Sequence, residues 1–229
     1  MVIANKIEQN ADSLHFDALP KATLRALKKC AEINLFSRGG WYLAGGTALA
    51  LQTGHRKSVD LDFFTEKKKF AEKKIEIVLS SQGKWITTSL RKGTLYGEFV
   101  GAKMSFIAYP FFAPARPKRK YGTIAIMTPL DIAIIKIIAI SQRGRKRDFF
   151  DLYWICQNIQ PLSEIIPRVH KQYIIHQNLT HILKSLVYFG DAESDPEPEI
   201  YFKANWKTVK KFFTKEIPII TRKILKLTK

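Results

Sequence analysis

The chain is poor in cysteine, poor in acid and has no long uncharged apolar run, and each shortage excludes something. Its 229 residues include two cysteines, Cys30 and Cys156, far apart in sequence. Two isolated thiols make neither a disulfide framework nor a zinc site, and a reducing cytoplasm suits them. The most apolar stretch, residues 123–140, is interrupted by Pro129, Asp131 and Lys136. It therefore falls short of the roughly 20 apolar residues that a membrane-spanning helix needs, and no membrane role is expected. A charged-then-apolar signal pattern is missing at the N-terminus, and no internal repeat is evident. Against 38 Lys and Arg stand 20 Asp and Glu, a net charge of +18. That excess speaks about partners rather than fold. Basic runs at residues 67–69 and 73–74, 116–120 and 143–147, with a lysine-rich tail, suit a polyanion such as RNA or an acidic protein partner, although such runs also serve as plain solvated faces.

With acid so scarce, an acid in apolar surroundings is informative. Asp60 and Asp62 stand two apart among Val59, Leu61, Phe63 and Phe64. In a strand, residues i and i+2 share a face, so the two carboxylates project together while Leu61 and Phe63 enter a core. Paired carboxylates repel unless a cation lies between them, and Mg²⁺, with Mn²⁺ as a substitute, takes oxygen ligands and shares them with phosphates. Gly45-Gly46, separated from Asp60 by thirteen residues, stands at the predicted start of a helix. Glycines there let a phosphate approach the backbone N–H groups. The joint pattern, an apolar residue, two glycines, thirteen residues, then Asp-apolar-acid-apolar, arises by chance in roughly one chain of this size in a hundred. A phosphate cradle beside a metal-binding pair is the skeleton of a phosphoryl- or nucleotidyl-transfer site.

The pattern of apolar residues, glycines and prolines predicts helices over residues 5–13 and 19–36, a strand over 41–44, a helix over 47–53 and a strand over 59–64. An amphipathic helix over 67–81 and strands over 85–91, 95–100, 102–109 and 123–127 follow. After Pro129 the expectation is helical: 129–142, 147–158, 161–173, 176–189, and 203–228 broken near Pro218, with 191–199 as an exposed acidic loop. The fold class expected is α/β (α+β), a core over residues 1–127 that would be a nucleotidyltransferase core with a mixed sheet flanked by helices on the resemblance given next, then a helical bundle over 128–229. No long linker separates the halves, which suggests a shared cleft.

The segment Ala44-Gly45-Gly46 through Asp60-Leu61-Asp62-Phe63 resembles the signature of polymerase β-type nucleotidyltransferases. The longer string from Leu43 to Leu51, with Gly54-His55-Arg56, Ser58 and residues 60–64, resembles one branch, the AbiEii/AbiGii toxin family. The likeness continues in Pro129-Leu130-Asp131-Ile132-Ala133, Lys136, Arg143 and residues 147–153, and more faintly at residues 188–193 and Trp206. It spans roughly residues 40–210. It implies a Mg²⁺-dependent enzyme that moves an NMP from an NTP to an acceptor hydroxyl, such as an RNA or tRNA 3′ end. It also implies a toxin role beside a cognate antitoxin.

On that resemblance Asp60 and Asp62 hold the metal, and Gly45, Gly46 and Thr47 cradle the triphosphate. Lys136, the one charge among residues 132–140, neutralises phosphate, with Arg143 in support; by composition alone it must snorkel or find some anion. Asp148 matches the family's active-site aspartate, with Asp151 as its structural companion, although plain helix capping is the alternative for both. His55 is expected to serve in packing. One departure matters: strand 101–109, where many relatives of the superfamily carry a third carboxylate, contains no acid, and Glu98 lies outside it. That absence leaves open a degenerate, non-enzymatic nucleic-acid-binding module. Transfer to a protein or small-molecule hydroxyl is a further alternative.

Overall fold

Residues 13–115, 119–175 and 177–224 are described by a computed structural model of the protein; the expected helix over 5–13 lies almost wholly outside them. The chain divides into two compact units, Met1–Thr128 and Pro129–Lys229. In chain order the first contains a 3-10 turn (Phe16–Ala18), α1 (Lys21–Cys30), α2 (Asn34–Gly39), β1 (Tyr42–Ala44), α3 (Gly45–Thr53), β2 (Leu61–Thr65), α4 (Glu72–Gln82), β3 (Trp85–Arg91), β4 (Thr94–Phe99), β5 (Ala102–Ala108), β6 (Arg119–Tyr121) and β7 (Ile124–Ile126). The strands form one mixed sheet in the order β3-β4-β5-β2-β1-β7-β6. Pairing is parallel at β2–β5 and β1–β7 and antiparallel elsewhere.

The register sorts the side chains into two faces. One row across β1, β2, β5 and β4 reads Leu43, Phe63, Phe106, Leu95, all fully buried. Phe63 stacks on Phe106 at 5.5 Å, Phe36 of α2 meets Phe63 at 4.5 Å, and Trp41 meets Phe106 at 5.2 Å. Burying such rings, at roughly 25 cal/mol per Å² of apolar surface, is what holds helices on this side of the sheet. The next row reads Ala44, Asp62, Ser105, Tyr96, Ser89, on the opposite face. Burial along residues 60–65 alternates accordingly, with Leu61, Phe63 and Thr65 buried and Asp60, Asp62 and Phe64 half-buried.

Where one helix is predicted over 19–36, two form. The loop before β7 docks into the break: the Thr123 N–H donates to the Ala31 carbonyl at 2.8 Å, and its hydroxyl to those of Cys30 and Ile33 at 3.1 and 2.9 Å. The Cys30 and Ile33 carbonyls also accept from the Ile33 and Phe36 N–H groups, at 3.1 and 3.2 Å, in the turn between the two helices. Strand β6 pairs with β7 through Arg119–Ile126 and Tyr121–Ile124, an edge strand that the basic composition of the segment hides.

The second unit is helical: α5 (Pro129–Arg143), α6 (Lys146–Asn158), α7 (Leu162–Gln172), α8 (Leu179–Ser185), α9 (Gly190–Glu193) and α10 (Trp206–Ile224). Pro129 opens α5, the position where a missing N–H costs nothing. Phe149 and Phe150 of α6 are buried against Trp206, with ring centroids 5.6 and 6.0 Å apart, and Phe213 meets Phe149 at 5.4 Å. Helix α10 runs on through Pro218 rather than breaking. Its buried residues Val209, Phe213, Ile217 and Ile220 form one stripe, and packing along that stripe outweighs the lost backbone bond. Among the described residues no helix is long and apolar enough to cross a membrane.

Candidate active site

Strand β1 ends at Ala44 and α3 begins at once, its Ala- and Leu-rich turns buried all round from Thr47 to Leu51. The turn requires Gly45, whose φ of +67° disfavours any residue with a Cβ. Ala44 lies opposite Asp62 in the β1–β2 register. The start of α3 and the carboxylate are therefore neighbours, and a Cβ on Gly45 would lie 3.0 Å from Asp62 Oδ2. Gly46 is as constrained: a Cβ there would stand 2.1 Å from Arg56 Nη2 and 3.3 Å from Ser58 Oγ. Helix N–H groups that have no preceding carbonyl to bond to, and the dipole behind them, favour an anion at this end.

Thr47 is 1 % exposed, and its hydroxyl donates to the Asp60 backbone carbonyl while bonding the Ser58 hydroxyl at 2.9 Å. It ties the start of α3 to the residue just before β2, so what Thr47 has left to offer a phosphate is its backbone N–H. Asp62 is held from the other side, its Oδ1 accepting from the Ser105 hydroxyl at 2.6 Å. His55, 2 % exposed, bonds the Thr53 hydroxyl at 2.9 Å. Arg56 is buried too, its Nη1 donating to the Lys57 carbonyl at 2.8 Å and its Nη2 lying against Gly46.

Gly45, Gly46, Thr47, Asp60 and Asp62 thus come together in the first unit. Asp60 and Asp62 offer an all-oxygen donor set, which fits a hard divalent cation that draws further ligands from a triphosphate and water. The space that Gly45 leaves beside Asp62 Oδ2 is consistent with that fit. No cluster of three or more His, Cys, Asp or Glu among the described residues is placed to hold a metal by itself.

The second unit gathers Lys136, Arg143, Asp148 and Asp151. Lys136 of α5 finds its anion inside the fold: Nζ lies 2.5 Å from Asp148 Oδ1 and 2.7 Å from Asp151 Oδ2, both carboxylates having no exposed side-chain surface. Arg143 Nη2 approaches Asp148 Oδ2 at 3.5 Å while more than half its side chain stays in solvent. Asp148 and Asp151 are neither solvated caps nor free.

The acidic segment 191–199 is largely exposed, as expected, and through Asp195 it also acts as a clasp. Asp195 takes both Nε and Nη2 of Arg145 at 2.8 Å and the Lys146 N–H at 2.9 Å, serving as the N-terminal cap of α6 from 49 residues away. Burial works against the charged form of Asp195, but the Lys146 and Arg145 donors outweigh it and hold the carboxyl below its usual range. Lys146 Nζ donates to the carbonyls of Asp195 and Glu193 and sits 5.5 Å above the Trp206 ring. Glu193 is held below the usual carboxylate range by Lys210 and Trp206, both of which donate to it.

Arg56, Ser58, Ser105 and Asp195 carry no separate signal in the sequence. Arg56 and Ser58 belong to the matched string without an evident task, and Ser105 becomes meaningful only through the β2–β5 register.

A sheet that carries Asp62 beside a glycine-opened helix is the arrangement expected of a nucleotidyltransferase. The family described as "Nucleotidyl transferase AbiEii toxin, Type IV TA system" matches residues 31–87 and 105–221, most of the chain, and the chain belongs to that family. An uncharacterized protein of Aquifex aeolicus (strain VF5) is 36 % identical over 208 residues, covering 87 % of this chain and 96 % of the relative. Among solved structures, MenT4, a nucleotidyltransferase toxin from Mycobacterium tuberculosis H37Rv, has a TM-score of 0.52 at 13 % identity, covering 96 % of this chain and 88 % of that one; this likeness is one of fold. Family membership makes the protein a nucleotidyltransferase toxin of a type IV toxin–antitoxin system, with an NTP as substrate and an antitoxin as counterpart. Enzymes of this class work with a divalent cation.

Proposed function

We propose that the protein transfers an NMP from an NTP to an acceptor hydroxyl on RNA, most specifically a tRNA 3′ end, in a Mg²⁺-dependent reaction for which Mn²⁺ can substitute. The observation that carries this reading is the meeting of the α3 start with Asp62, locked by the bond from Thr47 to the Asp60 carbonyl. Gly45, Gly46 and Thr47 receive the triphosphate on backbone N–H groups. Asp60 and Asp62 hold the cation, which supplies charge neutralisation and polarises the α-phosphoryl group. Arg143, more than half in solvent, has positive charge to offer a phosphate, whereas the Lys136 ammonium is engaged by Asp148 and Asp151. The acceptor hydroxyl gives up its proton to solvent, its oxygen forms the new bond to the α-phosphorus, and the bond to pyrophosphate breaks. Such catalysis is positioning and electrostatics.

An RNA acceptor is supported by surface charge. A groove of about 560 Å³ in the first unit is lined by Arg38, Lys67, Lys69 and Lys74 with Trp41 and Phe70, and no acid lines it. Trp41 packs on Phe106, so the groove belongs to the sheet face opposite Asp62; it suits the body of a long polyanion rather than the nucleotide. By the same chemistry the antitoxin, if it acts by contact, would be acidic. The +18 charge fits work on RNA.

The test is transfer of label from each α-labelled NTP to total cellular RNA with Mg²⁺, wild type beside Asp60→Ala. Label in a discrete tRNA band, absent with the variant, supports reaction, nucleotide and acceptor together. Bound nucleotide and metal without RNA labelling redirect the search to protein or small-molecule hydroxyls. Neither bound, with salt-dependent RNA binding retained, means a degenerate binding module, the reading that the acid-free β5 favours.

A further inference from the structure

The parallel pairing of β2 with β5 sets Ser105 directly opposite Asp62. Ser105 is 3 % exposed, so water offers its hydroxyl little competition, and the proton goes to Asp62 Oδ1 at 2.6 Å. An O–H···O⁻ bond of that length is charge-assisted and about twice as strong as a neutral one. The terminal torsion of an aspartate is otherwise broad. Here Ser105 takes one oxygen, and the other lies toward Gly45, where a Cβ would come within 3.0 Å. The carboxylate is therefore oriented before any ligand arrives, with Oδ2 on the side of the α3 start.

Resting on the metal-dependent reading above, we infer that Ser105 is a positioning residue for the cation: it fixes Asp62 in the rotamer that points Oδ2 at the ion. It stands on β5, the strand with no carboxylate to offer, and supplies a hydrogen bond in place of a third ligand. The site is then a two-carboxylate centre whose second acid is oriented by a buried hydroxyl. Partners of metal-ligating groups typically change metal affinity by 10- to 100-fold when removed, and Ser105 falls in that class.

The experiment measures Mn²⁺ binding to the full chain without nucleotide, by calorimetry and by electron paramagnetic resonance, with the melting temperature of each metal-free variant alongside. Ser105→Ala should weaken Mn²⁺ by about 10- to 100-fold, and Ser105→Thr, which keeps the hydroxyl, should restore it. In the transfer assay Ser105→Ala should raise the Mg²⁺ concentration for half-maximal rate more than it lowers the rate at saturating Mg²⁺. Should Ser105→Ala not fold, Ser105→Cys takes its place, a near-isostere with a weak donor and the same expected direction. Mn²⁺ affinity unchanged in Ser105→Ala or Ser105→Cys, while Asp60→Ala loses it, overturns the role of Ser105 and leaves the metal site standing. Affinity unchanged in Asp60→Ala as well overturns the metal reading itself.

Discussion

Lys136 Nζ and Asp148 Oδ1 stand 2.5 Å apart, with the carboxylate wholly shielded from solvent. Asp151 shares the same ammonium at 2.7 Å, so one buried cation serves two buried anions. The arrangement is electrostatically unbalanced unless Arg143, 3.5 Å from Asp148, carries part of the load. Removing one member of a buried pair leaves an uncompensated charge, which costs about 3–5 kcal/mol. Lys136→Met should lower stability by about that amount, and the double variant with Asp151→Asn should recover part of it. Urea unfolding followed by circular dichroism checks both. A Lys136→Met protein as stable as wild type would mean that the triad is not a structural pair.

Asp60→Ala and Asp62→Asn should each lower NMP transfer by orders of magnitude, with both proteins still folded at the assay temperature by circular dichroism. Single-turnover assays with α-labelled NTP separate this from weaker nucleotide binding. Full activity in Asp60→Ala would remove the cation-holding role.

Gly46→Ala places a methyl 2.1 Å from Arg56 Nη2, so the guanidinium must leave its buried seat. The expected cost is about 1–3 kcal/mol of stability, together with a rise in KM for NTP, because the start of α3 shifts with it. Shortening the obstacle with Arg56→Lys in the same chain should relieve the clash but not restore the lost guanidinium contacts. Melting curves and KM measured together check the pair.

Asp195 ties α6 to the segment after α9. Burial opposes its ionisation, but the Lys146 N–H and the Arg145 guanidinium prevail, and its folded-state pKa lies below the ordinary value. The stability that this group contributes is therefore present above the unfolded pKa and is lost as pH falls through the folded one. The difference in urea midpoint between wild type and Asp195→Asn should be constant above about pH 5 and shrink below about pH 4. A difference that grows on acidification would contradict the clasp.

Replacing Lys67, Lys69 and Lys74 by glutamine should weaken RNA binding without changing NMP transfer to a short oligonucleotide acceptor. If all three meet phosphates, the slope of log affinity against log salt should flatten by about 2, at roughly 0.7 per contact with single-stranded RNA. An unchanged slope would place the RNA elsewhere.

Much of the fold was legible because periodicity and punctuation were strong. The β3–β5 meander, its turns at Gly93 and Gly101, and the Pro129 start of the helical unit all stand where composition puts them. The misses have tertiary causes. Thr123 breaks the helix predicted over residues 19–36 by taking its carbonyls. The stripe from Val209 to Ile220 carries α10 through Pro218, and a strand as short as Arg119–Tyr121 has no periodicity to read.

The sequence by itself determined the chemistry on offer: two acids in an apolar segment, two glycines set off from them by thirteen residues, one lysine in an apolar helix, and a large excess of positive charge. These are local facts, set by side-chain type and by the two-residue repeat of a strand. Tertiary structure decided which groups answer one another. Lys136 meets Asp148 and Asp151, Arg145 meets Asp195, and Ser105 meets Asp62, separations of 12, 15, 50 and 43 residues. Strand register and helix packing fix such pairings through the burial of many apolar side chains at once, and no short window of sequence contains that sum.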